Sequence, residues 1–298
     1  MSVICIGTFD GIHIGHRKLL QRARDFAIAE KLESVVITYR DHPAFTLRKD
    51  ATPKLLCPSA LKEELLQKLG IDQVVMLDFT PEFAHTTASD FLDQYLIPLW
   101  HPRVIVVGYD SHFGKDREGN RDFLAKYASR YGYRLEYVQP ELYQGKPVSS
   151  SMIRRFLAEA KIEEANTLLG RAYSLLGTVK RGMAKGRSLG FPTANLKLDN
   201  PHQLVPAEGI YFSRVHLEQD TFFGLTNIGK SPTVKHSGII EIETYIIDFA
   251  SEIYGSAMQI ELLKYFREEK MFANISGLIH AMQQDLAQAR SLIREMGC

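Results

Sequence analysis

The sequence predicts two domains of different class, an α/β domain over residues 1–170 and an antiparallel β-barrel with a terminal helix over residues 171–298. Three observations support this prediction. A length of 298 residues is typical of about two domains. In the first half, β-branched runs alternate with helical patterns, which indicates a parallel sheet covered on both faces. In the second half, strand-like runs follow one another with only turn residues between them, as in a small barrel.

Four short apolar runs in the first half predict buried strands: SVICI, SVVITY, DQVVML and RVIVVG. Two amphipathic helices lie between them. The first places on one face Leu19, Leu20, Ala23, Phe26 and Ala27, and the second does the same with Leu61, Leu65 and Leu69. A helix or helix pair then ends at Gly170. Ligands of such sheets bind beyond the carboxyl ends of the strands, so the loop after the first strand is the first place to look for a site.

The second half contains five strand-like runs: YSLLGTVKRG, GIYFSRVHL, TFFGLTNIG, IIEIETYIIDF and SAMQIELLKYF. A final amphipathic helix follows, with one apolar face made of Leu278, Ile279, Met282, Leu286 and Ala289. The predicted barrel is therefore closed by a helix at the end of the chain.

Composition narrows the possible partners. A formal charge of +1 and a pI near 7.8 give no large positive field, which disfavours a nucleic-acid partner. Cys5, Cys57 and Cys298 have no metal-like spacing and predict reduced thiols. No stretch approaches the roughly 20 apolar residues of a membrane span, and the first residues are too short an apolar run for a signal peptide. We expect a cytoplasmic protein with no membrane segment, a monomer or weak homo-oligomer.

The loop after the first strand, Gly7–His16, has the sequence GTFDGIHIGH. Its glycines recur every four residues, which does not fit the dinucleotide-binding motif G-x-G-x-x-G. A helix N-terminus with glycines before it lets backbone N–H groups approach a triphosphate, and His13 and His16 can donate hydrogen bonds to the same phosphates. The tetrad HIGH also marks a class of aminoacyl-tRNA synthetases, but we find no lysine-rich second ATP loop. Metal ligation or plain packing remains the alternative for the histidines, and nucleotidyl transfer is the favoured prediction.

Two further segments offer phosphate-binding groups. Val148–Arg154, VSSSMIR, places hydroxyls and an arginine just before a helix, although a capped helix with a solvated arginine would have the same sequence. Gly177–Leu198 contains glycines and Arg187, which together predict a basic lid over phosphates or a simple turn. In a strand, Thr193 and Asn195 would point to one face, where their oxygens could share one Mg²⁺ ion.

These motifs resemble the bacterial bifunctional riboflavin kinase/FMN adenylyltransferase (FAD synthetase) family along nearly the whole chain. The N-terminal match comprises Gly7-x-Phe9-Asp10-Gly11-x-His13-x-Gly15-His16, His42-Pro43, Gly108 with Asp110, Phe113-Gly114, and Ser149-Ser150-Ser151 with Arg154. The C-terminal match comprises Gly186-Arg187-x-Leu189-Gly190-Phe191-Pro192-Thr193-Ala194-Asn195, Gly209-Ile210-Tyr211, Asn227-Ile228-Gly229, Pro232-Thr233, Glu243 and Tyr254-Gly255.

The resemblance implies an FMN adenylyltransferase-like domain of Rossmann-like fold over residues 1–170 and a six-stranded riboflavin kinase-like barrel over residues 171–298. The catalytic residues it implies are Glu243, as general base of the kinase, and His13, His16 and Arg154 in adenylyl transfer. For ATP it implies Gly7, Thr8, Phe9, Asp10, Gly11, Gly15, Ser149, Ser150, Ser151, Gly182, Gly186, Arg187, Gly190, Phe191 and Pro192. The flavin would contact His42, Pro43, Asp110 and Asn227, and Mg²⁺ would bind Thr193 and Asn195. From the residues alone, Glu243 could equally be a solvated strand carboxylate.

The sequence departs from the family pattern mainly on the flavin side. The departures are Arg40 and Asp41 in YRDHP, Ser111 in GYDSHFG, Met152 in SSSMIR and Ser231 in GKSPT. We therefore expect FAD synthesis with weaker FMN binding than is usual in the family. Two alternatives stay open: one activity is lost, with the kinase the one favoured to survive, or the chain is a non-catalytic flavin-binding regulator.

Overall fold

The structure is a computed structural model that describes residues 1–47, 53–181, 190–230, 240–272 and 274–297. It divides into two compact units, Met1–Ser150 and Ser151–Cys298. The domain boundary that we predict near residue 170 is about 20 residues further along the chain than the division between these two units, and it stays a prediction. Within the described part of the chain, no helix combines the length and the apolar character needed to cross a membrane.

The first unit is built on a parallel five-stranded sheet, as predicted. Its strands are β1 (Ser2–Ile6), β2 (Glu33–Tyr39), β3 (Gln73–Leu77), β4 (Pro102–Val107) and β5 (Arg134–Tyr137), in the order β3-β2-β1-β4-β5. Strand β5 was not predicted, because its four residues lack a β-branched run. The order reverses between β1 and β4, so the loops after these two strands border the crevice in which sheets of this type bind ligands.

Helices cover the sheet of the first unit: α1 (Ile14–Glu30), α2 (Ala44–Leu47), α3 (Ser59–Lys68), α4 (Ala88–Asp90), a π-helix (Phe91–Leu96), α5 (Ile97–Trp100) and α6 (Arg121–Tyr131). The α1 face is confirmed, since its predicted leucines and alanines are buried in the core and Phe26 packs beside them. The α3 face is confirmed too, since Leu61 is buried and Leu65 and Leu69 pack against the core, and Leu66 and Lys62 are buried beside them. A short hairpin, β6 (Leu142–Tyr143) and β7 (Lys146–Pro147), follows.

The predicted helix pair is α7 (Ser150–Ala158) and α8 (Ile162–Leu169), and Gly170 ends α8 in the left-handed conformation. The second unit then forms a closed six-stranded barrel, which confirms the expected architecture. Its strands are β8 (Tyr173–Lys180), β9 (Thr193–Leu198), β10 (Gly209–Leu217), β11 (Asp220–Lys230), β12 (Ile240–Ile246) and β13 (Ala257–Arg267), in the order β10-β11-β12-β9-β8-β13.

The predicted terminal helix is α9 (Ile275–Glu295). Ala289 of α9 is buried in one cluster with Phe212 of β10 and Ile247, so this helix covers one side of the barrel. A bidentate ion pair adds a second link, because Arg267 of β13 donates to both carboxylate oxygens of Asp285 at 3.1 and 2.6 Å. Both side chains are largely buried, so removing one partner would leave a desolvated charge.

Candidate active sites

The loop between β1 and α1 has an unusual backbone. Phe9, Gly11 and Ile12 all have positive φ, at 48°, 86° and 41°. Left-handed backbone is costly for a residue with a bulky side chain and persists only where packing enforces it. Here the Phe9 and Ile12 side chains are each 2% exposed in the core under the loop. Core burial therefore holds this predicted phosphate-binding loop in its conformation.

His13 and His16 lie together at the start of α1, as predicted. His13 is the N-cap residue, and its Nδ1 accepts a hydrogen bond from the His16 backbone N–H at 3.3 Å. An accepting Nδ1 carries no proton, so Nε2 is the donor nitrogen of this imidazole. The two rings stack with centroids 3.6 Å apart. A Cβ atom at Gly15 would lie 3.2 Å from His13 Cε1, so a side chain at this position would push on the His13 ring of the stacked pair.

The His16 imidazole is neutral. Burial lowers its pKa well below the ordinary value, and electrostatic interactions with His13 and with the Lys62 ammonium lower the pKa further. Its Nδ1 is buried and has no hydrogen-bond partner among the described residues. An unpartnered buried nitrogen costs free energy unless a ligand satisfies it, so His16 has hydrogen-bonding capacity in reserve at the helix N-terminus. Within the described part of the chain, no group of three His, Cys, Asp or Glu side chains could hold a metal.

Asp10 is tied to backbone inside the first unit. Its carboxylate accepts hydrogen bonds from the N–H groups of Leu56 and Cys57 at 3.0 to 3.2 Å. Its carbonyl oxygen accepts from the Ser150 hydroxyl at 2.9 Å, which joins Ser150, the last residue of the first unit, to the loop. The Asp10 side chain thus organises the loop, and its contact with ATP stays a prediction.

Three other predicted ATP-binding or catalytic residues lie close to the division between the two units. Ser149 is half-buried at the end of the first unit, Ser151 is exposed and Arg154 is half-buried. Ser151 and Arg154 belong to the second compact unit, on α7. Their part in adenylyl transfer therefore remains a prediction.

The predicted flavin residues of the first unit follow β2 and β4. His42 Nδ1 accepts a hydrogen bond from Ala44 N–H at 3.1 Å, so His42 and Pro43 form the start of α2. Asp110 is exposed in the loop after β4. The first unit also contains a small cavity of about 20 Å³, which is lined mainly by the aromatic residues Tyr39, Phe79, Phe83, Phe91 and Phe113.

Two of the departures from the family pattern have partners of their own. The Ser111 hydroxyl accepts a hydrogen bond from the Gly108 N–H at 2.9 Å, so it closes the turn after β4. Arg40 Nε lies 3.0 Å from a carboxylate oxygen of Asp78, and both side chains are exposed. Screened surface pairs of this kind contribute little, so Arg40 can exchange this partner for an anionic ligand.

In the barrel, three predicted residues from three strands lie side by side. Glu243 of β12 is directly opposite Asn227 of β11 on one side and Asn195 of β9 on the other. Directly paired residues in a sheet point to the same face, at Cβ separations of about 5 Å. The register therefore assembles a carboxylate between two amides from residues far apart in the sequence.

A cavity of about 250 Å³ opens beside this row, lined by Glu243, Asn227, Thr193 and aromatic residues that include Phe191, Tyr245 and Phe272. Leu278 and Met282 of α9 complete its apolar wall. The Asn227 amide donates to Glu269 at 3.3 Å, whereas its Oδ1 is buried with no partner among the described residues. The cavity thus combines an aromatic and aliphatic wall with charged and polar groups that include Arg267, Glu269 and Lys270, and a mostly apolar pocket with polar groups at defined positions is typical of a small-molecule site.

A second cavity of about 230 Å³ lies on the other side of Thr193, lined also by Pro192, Phe249 and Tyr254. Thr193 is the residue common to both cavities. Gly190, with φ of 82°, directly precedes Phe191 and Pro192 at this edge of the barrel. The other predicted lid residues, Gly182, Gly186 and Arg187, lie outside the described residues, as does Ser231.

Sequence reasoning missed several groups at these sites. Lys62 is buried beside the phosphate loop. The one signal of its burial in the sequence is that it lies three, four and seven residues before Leu65, Leu66 and Leu69, on the apolar face of the helix. The Arg267–Asp285 pair and Phe272 line the larger cavity of the barrel, and nothing in their local pattern distinguishes them from surface residues.

Comparisons with known proteins match two separate regions of the chain to two different families. Residues 1–152 match the family model for FAD synthetase, and residues 169–293 match that for riboflavin kinase. Bifunctional riboflavin kinase/FMN adenylyltransferases from Listeria monocytogenes and Bacillus subtilis are 36% and 34% identical; the matches cover 99% and 97% of this chain and 93% and 91% of those proteins. A solved structure described as a macrolide-efflux protein from Streptococcus pneumoniae is 30% identical with a TM-score of 0.89, covering 97% of this chain and 93% of that chain.

Proposed function

The chain belongs to the bifunctional riboflavin kinase/FMN adenylyltransferase family, and on that premise we propose how its own residues make FMN and then FAD. Two family models and full-length relatives agree on flavin chemistry. That agreement, rather than the efflux description of one similar structure, supports the proposal. The substrates are riboflavin, FMN and ATP.

In the barrel, Glu243 accepts the proton of the terminal ribityl hydroxyl of riboflavin. The hydroxyl oxygen then bonds to the γ-phosphorus of ATP, and the bond to the ADP oxygen breaks, which gives FMN and ADP. The larger cavity holds the flavin ring between its aromatic and α9 walls, and the unpartnered Asn227 Oδ1 is the acceptor that fixes its orientation. The cavity beside Pro192 receives ATP, so that Thr193 lies where the two substrates meet.

The donor set on β9 fits a magnesium ion. Thr193 supplies a hydroxyl and Asn195 an amide oxygen from the same face of the strand, and hard cations of this size take such oxygens together with those of substrate phosphates. When bound there, Mg²⁺ would neutralise charge on the transferred phosphate. Asn195 is 5% exposed and directly opposite Glu243, so it also fixes the position of the carboxylate.

In the first unit, a phosphate oxygen of FMN attacks the α-phosphorus of a second ATP and pyrophosphate leaves, which yields FAD. The nucleophile is already anionic, so no protein base is needed. His13 Nε2–H and the neutral His16 donate hydrogen bonds to the phosphates as charge develops, and the N-terminus of α1 adds its partial positive charge. Ser149, Ser150, Ser151 and Arg154 are the remaining proposed phosphate ligands.

The departures on the flavin side give this chain a weaker FMN site than its family pattern implies. Ser111 supplies a hydroxyl to the turn where an aromatic side chain could pack on the flavin ring. Arg40 offsets part of the loss if it leaves Asp78 for the FMN phosphate. We also propose a cytoplasmic location, consistent with buried, reduced thiols at Cys5 and Cys57, and a monomeric or weakly self-associating protein.

The observation that carries the kinase assignment is the row Asn195, Glu243 and Asn227 beside an aromatic cavity. The test is product analysis with riboflavin, ATP and Mg²⁺, followed by FMN supplied in place of riboflavin. We expect FMN to appear first and FAD later, and FAD with pyrophosphate from supplied FMN. FMN as sole product would leave the kinase alone, and no product would favour a flavin-binding regulator.

A further inference from the structure

Lys62 is a buried cation that neither reaction uses. Its side chain is 4% exposed on the inner face of α3. The ammonium Nζ donates to the Tyr39 carbonyl at 2.6 Å and lies 3.3 Å from the Thr8 carbonyl and 3.5 Å from Thr38 Oγ1. Burial lowers the pKa of Lys62, while the nearby charge of Asp10 raises it. A desolvated ammonium is costly, so its retention here points to a role that an apolar residue could not fill.

The oxygens that Lys62 contacts belong to two different segments, the loop after β1 and the end of strand β2. Thr8 is in the phosphate loop after β1, whereas Tyr39 ends β2, lines the aromatic cavity and lies shortly before the predicted flavin residue His42 in the chain. The Thr38 hydroxyl also donates to the Thr8 carbonyl, at 3.1 Å. A single ammonium therefore joins the predicted phosphate-binding loop to the end of the strand that leads to the predicted flavin residues His42 and Pro43.

Helix α3 is attached to the phosphate loop a second time. The Asp10 carboxylate accepts hydrogen bonds from the N–H groups of Leu56 and Cys57, which precede α3. The loop therefore accepts from the segment before α3 through Asp10, and from α3 itself through the Thr8 carbonyl. Lys62 turns a carbonyl oxygen of the loop toward the protein interior. An inward carbonyl matters at a triphosphate site, because an oxygen facing the phosphates would repel them.

We infer that Lys62 is a positioning residue for adenylyl transfer, which fixes the phosphate loop and the end of β2 in one arrangement so that the two substrates meet in line. This inference rests on the proposed FMN adenylylation in the first unit. The positive charge of Lys62 also helps to keep His16 neutral. Without the ammonium, the carbonyls of Thr8 and Tyr39 lose a buried partner and the loop can rearrange. A misplacement of about 1 Å at reacting groups can cost on the order of a hundredfold in rate.

The test compares Lys62→Met with Lys68→Met in the full-length enzyme. Lys68 lies on the same helix but is exposed and forms a surface ion pair with Glu64. For Lys62→Met we expect kcat of FAD synthesis from supplied FMN to fall by about 10- to 100-fold, with KM for ATP changed less than about threefold. Riboflavin phosphorylation by the same molecules serves as the internal control and should be unchanged. Lys68→Met should retain both activities.

Three results would overturn the positioning role. One is wild-type FAD synthesis in Lys62→Met, and another is a raised KM for ATP with unchanged kcat, which would mean ground-state binding. If Lys62→Met unfolds and loses both activities, Thr38→Val decides, since it keeps the lysine but removes the hydroxyl that contacts Lys62 and donates to Thr8. We expect Thr38→Val to slow FAD synthesis several-fold, and a wild-type rate would be the third contrary result. Failure of the unmodified enzyme to convert FMN would instead overturn the proposed adenylylation, and the role of Lys62 with it.

Discussion

Glu243→Gln is the substitution that separates the two proposed reactions most cleanly. Glutamine has nearly the same volume as glutamate, so the row with Asn195 and Asn227 and the walls of the cavity should persist. What is lost is the negative charge and the ability to accept a proton from the ribityl hydroxyl. The variant therefore changes the chemistry of the site far more than its shape.

The expected magnitude follows from that difference. A positioned general base typically contributes 10²- to 10⁴-fold in rate, which corresponds to about 3 to 5.5 kcal/mol of barrier. Riboflavin binding depends mainly on the aromatic and α9 walls of the cavity, which the substitution leaves in place. We therefore expect kcat of FMN formation to fall by 10²-fold or more, and KM for riboflavin to change by less than about fivefold, or 1 kcal/mol.

Both reactions are to be assayed in the same variant, with Glu241→Gln as the matched control on the same strand, outside the lining of the cavity. FAD synthesis from supplied FMN should be unchanged in Glu243→Gln, because its proposed groups belong largely to the first unit. Wild-type FMN formation would show that Glu243 is not the base. An equal loss of both activities would contradict independent sites.

Three further predictions concern the first unit. His13→Ala or His16→Ala should lower kcat of FAD synthesis by about 10²- to 10³-fold with little change in KM for ATP, since these donors stabilise the negative charge that develops on the phosphates in the transition state. A normal kcat with a raised KM would reassign the two histidines to substrate binding. Ser111→Phe should lower KM for FMN by about fivefold, the equivalent of about 1 kcal/mol of ring packing, and an unchanged or higher KM would show that this position does not limit FMN binding. Because the pKa of His16 is held low in the folded protein, only the unfolded chain takes up this proton as the pH is lowered below about 6.5, and the free energy of unfolding should therefore decrease toward acidic pH. Urea titrations at several pH values should show a smaller decrease for His16→Gln than for the unmodified protein. Parallel curves for the two proteins would contradict a neutral His16.

Local patterns in the sequence predicted the elements well, because each depends on neighbouring residues. The glycines and histidines of Gly7–His16 predicted a strand, a turn and a helix N-terminus, and the structure has His13 as the N-cap of α1. Strand β5 escaped prediction because RLEY is short and mixed in polarity. The predicted face of α3 was correct, but the burial of Lys62 beside it was not predicted, because it depends on carbonyl oxygens of β2 and of the loop after β1.

The assembled sites depend on long-range contacts that no local pattern contains. Asn195, Asn227 and Glu243 become neighbours only through the register of β9, β11 and β12. The cavity wall formed by Leu278 and Met282 exists because α9 packs on the barrel, and the sequence predicted only that these residues share an apolar face. The family resemblance supplied the roles of these residues, and the register supplied their proximity.

The most direct test of the account is to follow the two phosphates of FAD made by the purified chain from riboflavin. The reaction is run with Mg²⁺ and ATP labelled either at the γ- or at the α-phosphate. Transfer of the γ-phosphate to riboflavin and of the adenylyl group to FMN predicts one label in FAD from each ATP, with the γ-label on the ribityl side and the α-label on the adenosine side. FAD without the γ-label, or labelled FMN that is never converted to FAD, would contradict two consecutive reactions on this one chain.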